Sequence, residues 1–69
     1  MAESRETFTI RGVEDDHERE DIKDTLNHLE GVMDADVDDA GEASVRYDED
    51  VVGGGEVVHR VEKMGYETE

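Results

Sequence analysis

The 69-residue sequence predicts one α+β domain of order β-α-β-β-α-β, a four-stranded antiparallel sheet with two helices on one face. Three observations predict it. Apolar and polar residues alternate in three short runs, the period of a half-buried strand. Two other runs repeat their apolar residues at helical spacing and carry charge on the opposite side. Glycines and acidic turn residues stand at the joints between the runs.

Residues 1–6 form a polar lead expected to fray, which leaves residues 7–69 as the domain. Thr7-Phe8-Thr9-Ile10-Arg11 alternates, with Phe8 and Ile10 on the inner face. A turn follows from Gly12 to Glu18. From Asp16 to Leu29, the apolar Ile22, Leu26 and Leu29 fall at i, i+4 and i+7, one stripe of a helix, with Gly31 placed to end it. In Val32 to Asp38, Met33, Ala35 and Val37 are expected to face in and Asp34, Asp36 and Asp38 out. Asp39-Ala40-Gly41 is turn chemistry. Ala43, Val45 and Tyr47 then face in, which completes a hairpin. Gly53-Gly54-Gly55 reads as a flexible connection and has neither the Lys nor the Ser or Thr of a phosphate-binding loop. Val57, Val58, Val61 and Met64 form a second helical stripe, stopped by Gly65; Tyr66 to Glu69 is a last short strand. This is the ferredoxin-like order, in which two helices on one side of the sheet satisfy every apolar stripe at once.

Charge limits the partners. Asp and Glu number 22 against 7 Lys and Arg, a net charge of -15. Such a surface repels nucleic acids and anionic membranes. Composition alone leaves disorder open, because Leu, Ile, Val and Phe are scarce. Periodicity favours a fold, and a solvent of ~1 M salt, with a Debye length of about 3 Å, would screen the self-repulsion. Scarce Lys beside abundant Asp and Glu resembles proteins of halophilic archaea. There is no Cys, hence no disulfide, iron–sulfur cluster or thiolate metal site. No apolar run reaches the ~18 residues of a membrane span, and the acidic start is unlike a signal peptide; a cytoplasmic address is expected.

Thr7-Phe8-Thr9-Ile10-Arg11-Gly12-Val13, the spacing of Ile22 and Leu26, Leu29-Glu30-Gly31-Val32, Gly41 to Asp48 and Met64-Gly65-Tyr66 share one register. In that register the chain resembles the heavy-metal-associated domains of copper metallochaperones and metal-pumping ATPases, from about Thr7 to Tyr66. The resemblance implies the ferredoxin-like fold. It also aligns the family's two metal-binding cysteines with Asp15 and Glu18, and the methionine before them with Val13. Soft Cu(I) takes thiolate or thioether ligands, so the resemblance carries fold and not soft-metal transfer.

The turn keeps three readings. Asp15 as N-cap with Glu18 three residues on is an Asp version of the capping box, at the positive end of a helix dipole. Asp15, His17 and Glu18, with Asp16 beside them, would offer oxygens and an imidazole to a hard or borderline divalent cation. Glu14, Asp16, Arg11, Arg46 and Tyr66 would form a protein-docking surface around the turn and the open sheet face. The family docks partners through this loop and carries an aromatic residue near it at the place of Tyr66. Arg11 and Arg46 are expected on neighbouring central strands, with Asp34 and Asp36 flanking Arg46. His28 and His59 lie off the apolar stripes and read as surface residues.

No Ser/His/Asp set or carboxylate pair supports an enzyme. The expectation is a non-enzymatic binding or adaptor module with an unknown protein partner, existing as a monomer or weak dimer. No cofactor is expected beyond weak divalent-cation association. The alternative is a metal-handling protein that uses the carboxylates and His17 of the turn.

Overall fold

Strand β1 spans Glu3–Arg11, helix α1 Asp16–Asn27, strand β2 Val32–Val37, strand β3 Glu42–Asp48, helix α2 Gly54–Lys63 and strand β4 Glu67–Thr68. This computed structural model describes residues 2–69; Met1, the first residue of the expected polar lead, lies outside the described residues. The sheet order is β2-β3-β1-β4, all neighbours antiparallel. This is the expected ferredoxin-like arrangement.

The apolar stripes meet in one interior. Phe8, Ile10, Ile22, Leu26, Ala35, Val37, Ala43, Val45, Tyr47, Val52, Val57 and Val61 are buried together, and among the described residues no buried polar side-chain atom lacks a partner. Ile22, Leu26, Val45, Val57 and Val61 are the largest side chains wholly removed from solvent. Each such residue contributes about 1.5–3 kcal/mol by burial. In a chain this short that concentration offsets the entropy of ordering the backbone.

Four local readings change. β1 begins at Glu3, so Glu3 to Glu6 do not fray: Glu3 pairs with Asp48 and Glu6 with Val45. Long-range pairing with β3 holds residues that have no apolar pattern of their own. Met33 is 38% exposed and does not face inward, because the β2–β3 register shifts between Val32 and Asp34. A bulge there turns Met33 outward and lets Val32 pack against the core. Helix α1 stops at Asn27, and Leu29 reaches the core from the turn that follows. The triple glycine is not a free connection: Gly53 is the N-cap of α2 and Gly54 and Gly55 are its first residues. A Cβ on Gly54 would lie 2.5 Å from Glu6 Oε1 and 2.9 Å from the Tyr47 hydroxyl, so the glycine lets β1 and β3 approach the helix start.

Gly31 answers to a double constraint. Its φ is +95°, and a Cβ would lie 2.8 Å from Val52 Cγ1. No L side chain fits both conditions.

Candidate functional site

The turn between β1 and α1 is held from both ends. Gly12, with φ +91°, turns the chain off the sheet, and Val13 anchors the loop by packing against the core. Asp15 is extended, with φ -147° and ψ 174°, and caps α1: its Oδ1 accepts the Glu18 N–H at 2.8 Å. Glu18 Oε1 accepts the Glu14 N–H at 2.8 Å. The first bond satisfies a donor that the helix start leaves free and the second holds the residue before the N-cap, in the manner of a capping box displaced by one residue. Asp16 takes no part in the cap. It pairs with Arg19, whose guanidinium also reaches Asp39 at 2.9 Å and so ties the helix start to the β2–β3 hairpin.

Tyr66 closes the other side. Its ring passes over Gly12, where a Cβ would sit 4.0 Å from Cδ1, and it is half-buried against the core. Burial, then the charge of Glu18, the hydrogen bond to Glu18, and the charges of Asp21 and Asp15 raise its pKa above the ordinary 10.0. Arg11, Gly12, Glu18, Met64 and Tyr66 line a shallow hollow beside the turn.

The site residues named from sequence divide into two groups. Glu14, Asp15, Asp16, Glu18, Arg11 and Tyr66 gather at this end of the sheet. His17 lies on the outer face of α1, where its Nε2 is 3.6 Å from Asp21, and its side chain is 86% exposed. The structure does not bring it to Asp15 and Glu18. Among the described residues no three His, Cys, Asp or Glu side chains are placed to hold a metal ion together.

Arg46 is the clear correction. It lies on β3 beside β1, as expected, but register places it opposite Arg5. Arg11 is six residues further along β1, about 20 Å away at strand rise. There it pairs with Glu67 across β4 and reaches Glu69 at 3.6 Å. Arg11 and Arg46 therefore form no common window. Asp34 does stand opposite Arg46, but the ion pair runs to Glu3 at 3.5 Å. Sequence reasoning passed over Arg5 and Arg19. The i, i+3 spacing of Asp16 and Arg19 was a signal for one contact; no local signal pointed to Asp39.

With this geometry in hand, the sequence pattern of the heavy-metal-associated domain matches residues 7–67. The chain belongs to the heavy-metal-associated domain family. It is 31% identical to the copper chaperone CopZ of Staphylococcus aureus (strain Newman) over 65 residues, which is 93% of this chain and 96% of the relative. Among solved structures, a CopZ metallochaperone superposes with a TM-score of 0.89 at 30% identity, covering 96% of this chain and 100% of that one. The N-terminal domain of a potential copper-translocating P-type ATPase from Bacillus subtilis, solved in a Cu(I)-loaded state, gives 0.88 at 28% identity, covering 100% and 86%. This chain contains no cysteine, and the turn that resembles the family's metal loop presents carboxylates already engaged with the helix start.

Proposed function

We propose that this heavy-metal-associated domain is a non-enzymatic binding or adaptor module that works without a soft-metal site in a salt-rich cytoplasm. One observation carries the reading. The two side chains aligned with the family's thiols, Asp15 and Glu18, accept the backbone N–H groups of Glu18 and Glu14 at 2.8 Å each. They act as the helix's own cap. A metal would have to displace those bonds to use them, and His17 stands apart on another face of α1.

The docking surface in this reading is the end of the domain where Glu14, Asp16, Arg11 and Tyr66 surround the turn. Relatives named as copper chaperones and as a domain of a copper-translocating ATPase point to a soluble domain of a metal-transport protein as the class of partner. No helix among the described residues is long and apolar enough to cross a membrane. The scarcity of basic residues supports a saline setting, in which surface carboxylates repel one another less.

The test is a titration of the ¹⁵N-labelled chain in molar KCl with Cu(I), Zn²⁺ and Mg²⁺ in turn. The expected result is small shifts spread over the acidic surface. Saturable shifts confined to residues 14–19, abolished in Asp15→Asn with His17→Ala, would overturn the reading in favour of a carboxylate and imidazole metal site.

A further inference from the structure

The sheet has an open inner edge. Ile10 N–H bonds Gly41 C=O at 2.7 Å toward β3, whereas Thr9 exchanges two bonds with Glu69, at 3.1 and 2.8 Å, on the β4 side. Backbone groups of an antiparallel strand alternate in direction. Glu3, Arg5 and Thr7 therefore point their N–H and C=O groups the same way as Thr9. Among the described residues β4 pairs with Ile10 and Arg11, and the bonds of Glu69 reach Thr9. Among the described residues no strand lies against Glu3 to Thr7 on that side, and Glu3, Arg5 and Thr7 are exposed. Unpaired edges of this kind are templates for another strand.

The same stretch carries an unmatched cation. Arg5 has Arg46 directly across on β3. Like charges opposite one another destabilise a sheet. Arg46 has Glu3 at 3.5 Å, and Arg11, Arg19 and Lys23 each have a carboxylate within 4 Å. Arg5 has none among the described residues. Arg60 and Lys63 have none either, but they occupy the last turn of α2, where the helix dipole accounts for them. In a chain of net charge -15, an arginine left unpaired beside an open backbone edge asks for an external acid.

We propose that the edge of β1 from Glu3 to Thr7 is a strand-addition site for an extended protein segment bearing a carboxylate opposite Arg5. The segment runs antiparallel to β1, in line with β4. Main-chain bonds to Glu3, Arg5 and Thr7 supply affinity, and the acid sets register. Main-chain pairing survives molar salt, unlike long-range attraction between exposed charges. A second copy of this chain is the poorer occupant. Two-fold antiparallel pairing about Arg5 sets that arginine against its own image. This site is separate from the turn and stands or falls independently of it.

The experiment uses the full chain, ¹⁵N-labelled in molar KCl, titrated with the acetylated and amidated peptide Thr-Thr-Thr-Glu-Thr-Thr-Thr and with its Lys-centred counterpart. The expected result is saturable shifts and slowed hydrogen exchange at the amides of Glu3, Arg5 and Thr7. Those of Ser4 and Glu6, which face β3, should barely move. In molar KCl, which screens an exposed ion pair in part, the Glu peptide should bind about twofold more tightly than the Lys peptide. Arg5→Glu should reverse that preference. Thr7→Pro, which removes one outward N–H and no β3 bond, should abolish binding; should it not fold, Arg5→Glu still decides. Equal binding of the two peptides, or shifts elsewhere, overturns the proposal. So does concentration-dependent protection of the same amides without peptide, which would assign the edge to a second copy.

Discussion

Replacing Asp15 tests whether the carboxylate at the family's thiol position is a cap or a ligand. Asp15 Oδ1 accepts the Glu18 N–H at 2.8 Å, and Asp15 has the extended backbone of an N-cap. Ala removes the acceptor, and capping residues replaced by Ala cost about 0.5–2 kcal/mol, typically ~1. The site is exposed, so water recovers part of the loss. The added attraction of the charge to the helix dipole, roughly 0.3–1 kcal/mol at low salt, is largely screened in molar KCl. About 1 kcal/mol therefore remains for Asp15→Ala. In a domain of this size that lowers Tm by about 4–8 °C. Asn keeps an oxygen in the same place and loses only the charge, so Asp15→Asn should stay within a few tenths of a kcal/mol of the parent, roughly 2 °C at most. The assay is thermal and urea unfolding in molar KCl, urea being chosen because it leaves ionic strength unchanged. Equal losses for Ala and Asn would show that charge matters and the hydrogen bond does not, and would refute the cap. No loss in either would refute it as well.

Salt gives a second expectation. Lowering KCl from about 1 M to 0.01 M lengthens the Debye length from about 3 to 30 Å, so cooperative far-ultraviolet circular dichroism should be lost and then regained on adding salt; a flat response counts against halophilic adaptation. Tyr66 gives a third. Its pKa is raised in the folded chain above the ordinary 10.0, so above that pH the unfolded chain ionises first. Stability should fall as pH rises past about 10, and Tyr66→Phe should flatten that limb of a urea-midpoint profile. A fourth restores the thiols: Asp15→Cys with Glu18→Cys should lose about 0.5–2 kcal/mol without metal, through the lost cap, and should bind Cu(I) in competition with a chromogenic chelator where the parent does not. Finally, Gly31→Ala should cost more than about 1 kcal/mol in urea unfolding, because φ +95° and the side chains of Val51 and Val52 both oppose a Cβ.

The helices, the hairpin and the inward faces were legible from the chain alone, for a local reason. A stripe such as Ile22 and Leu26, or an alternation such as Ala43, Val45 and Tyr47, is set by the geometry of its own element. The cap at Asp15 was legible likewise, because N-cap and N3 lie three residues apart in any helix. Register was not. Opposition of Arg5 to Arg46, the bulge that exposes Met33, the strand pairing that orders Glu3 to Glu6 and the reach of Arg19 to Asp39 depend on where distant segments meet. No short-range pattern encodes those distances. The role of the triple glycine is hidden for the same reason: alone it is the most flexible stretch of the chain, yet beside Glu6 and Tyr47 it is the start of a helix. Sequence by itself determined most of the residues that share the interior, Met33 and Val52 excepted, and that a thiol-free turn would carry acids. Only the tertiary structure decided which charges become neighbours and which strand edge stays open. Those outcomes follow from pairing between strands far apart along the chain, whereas side-chain periodicity is a property of each strand or helix separately.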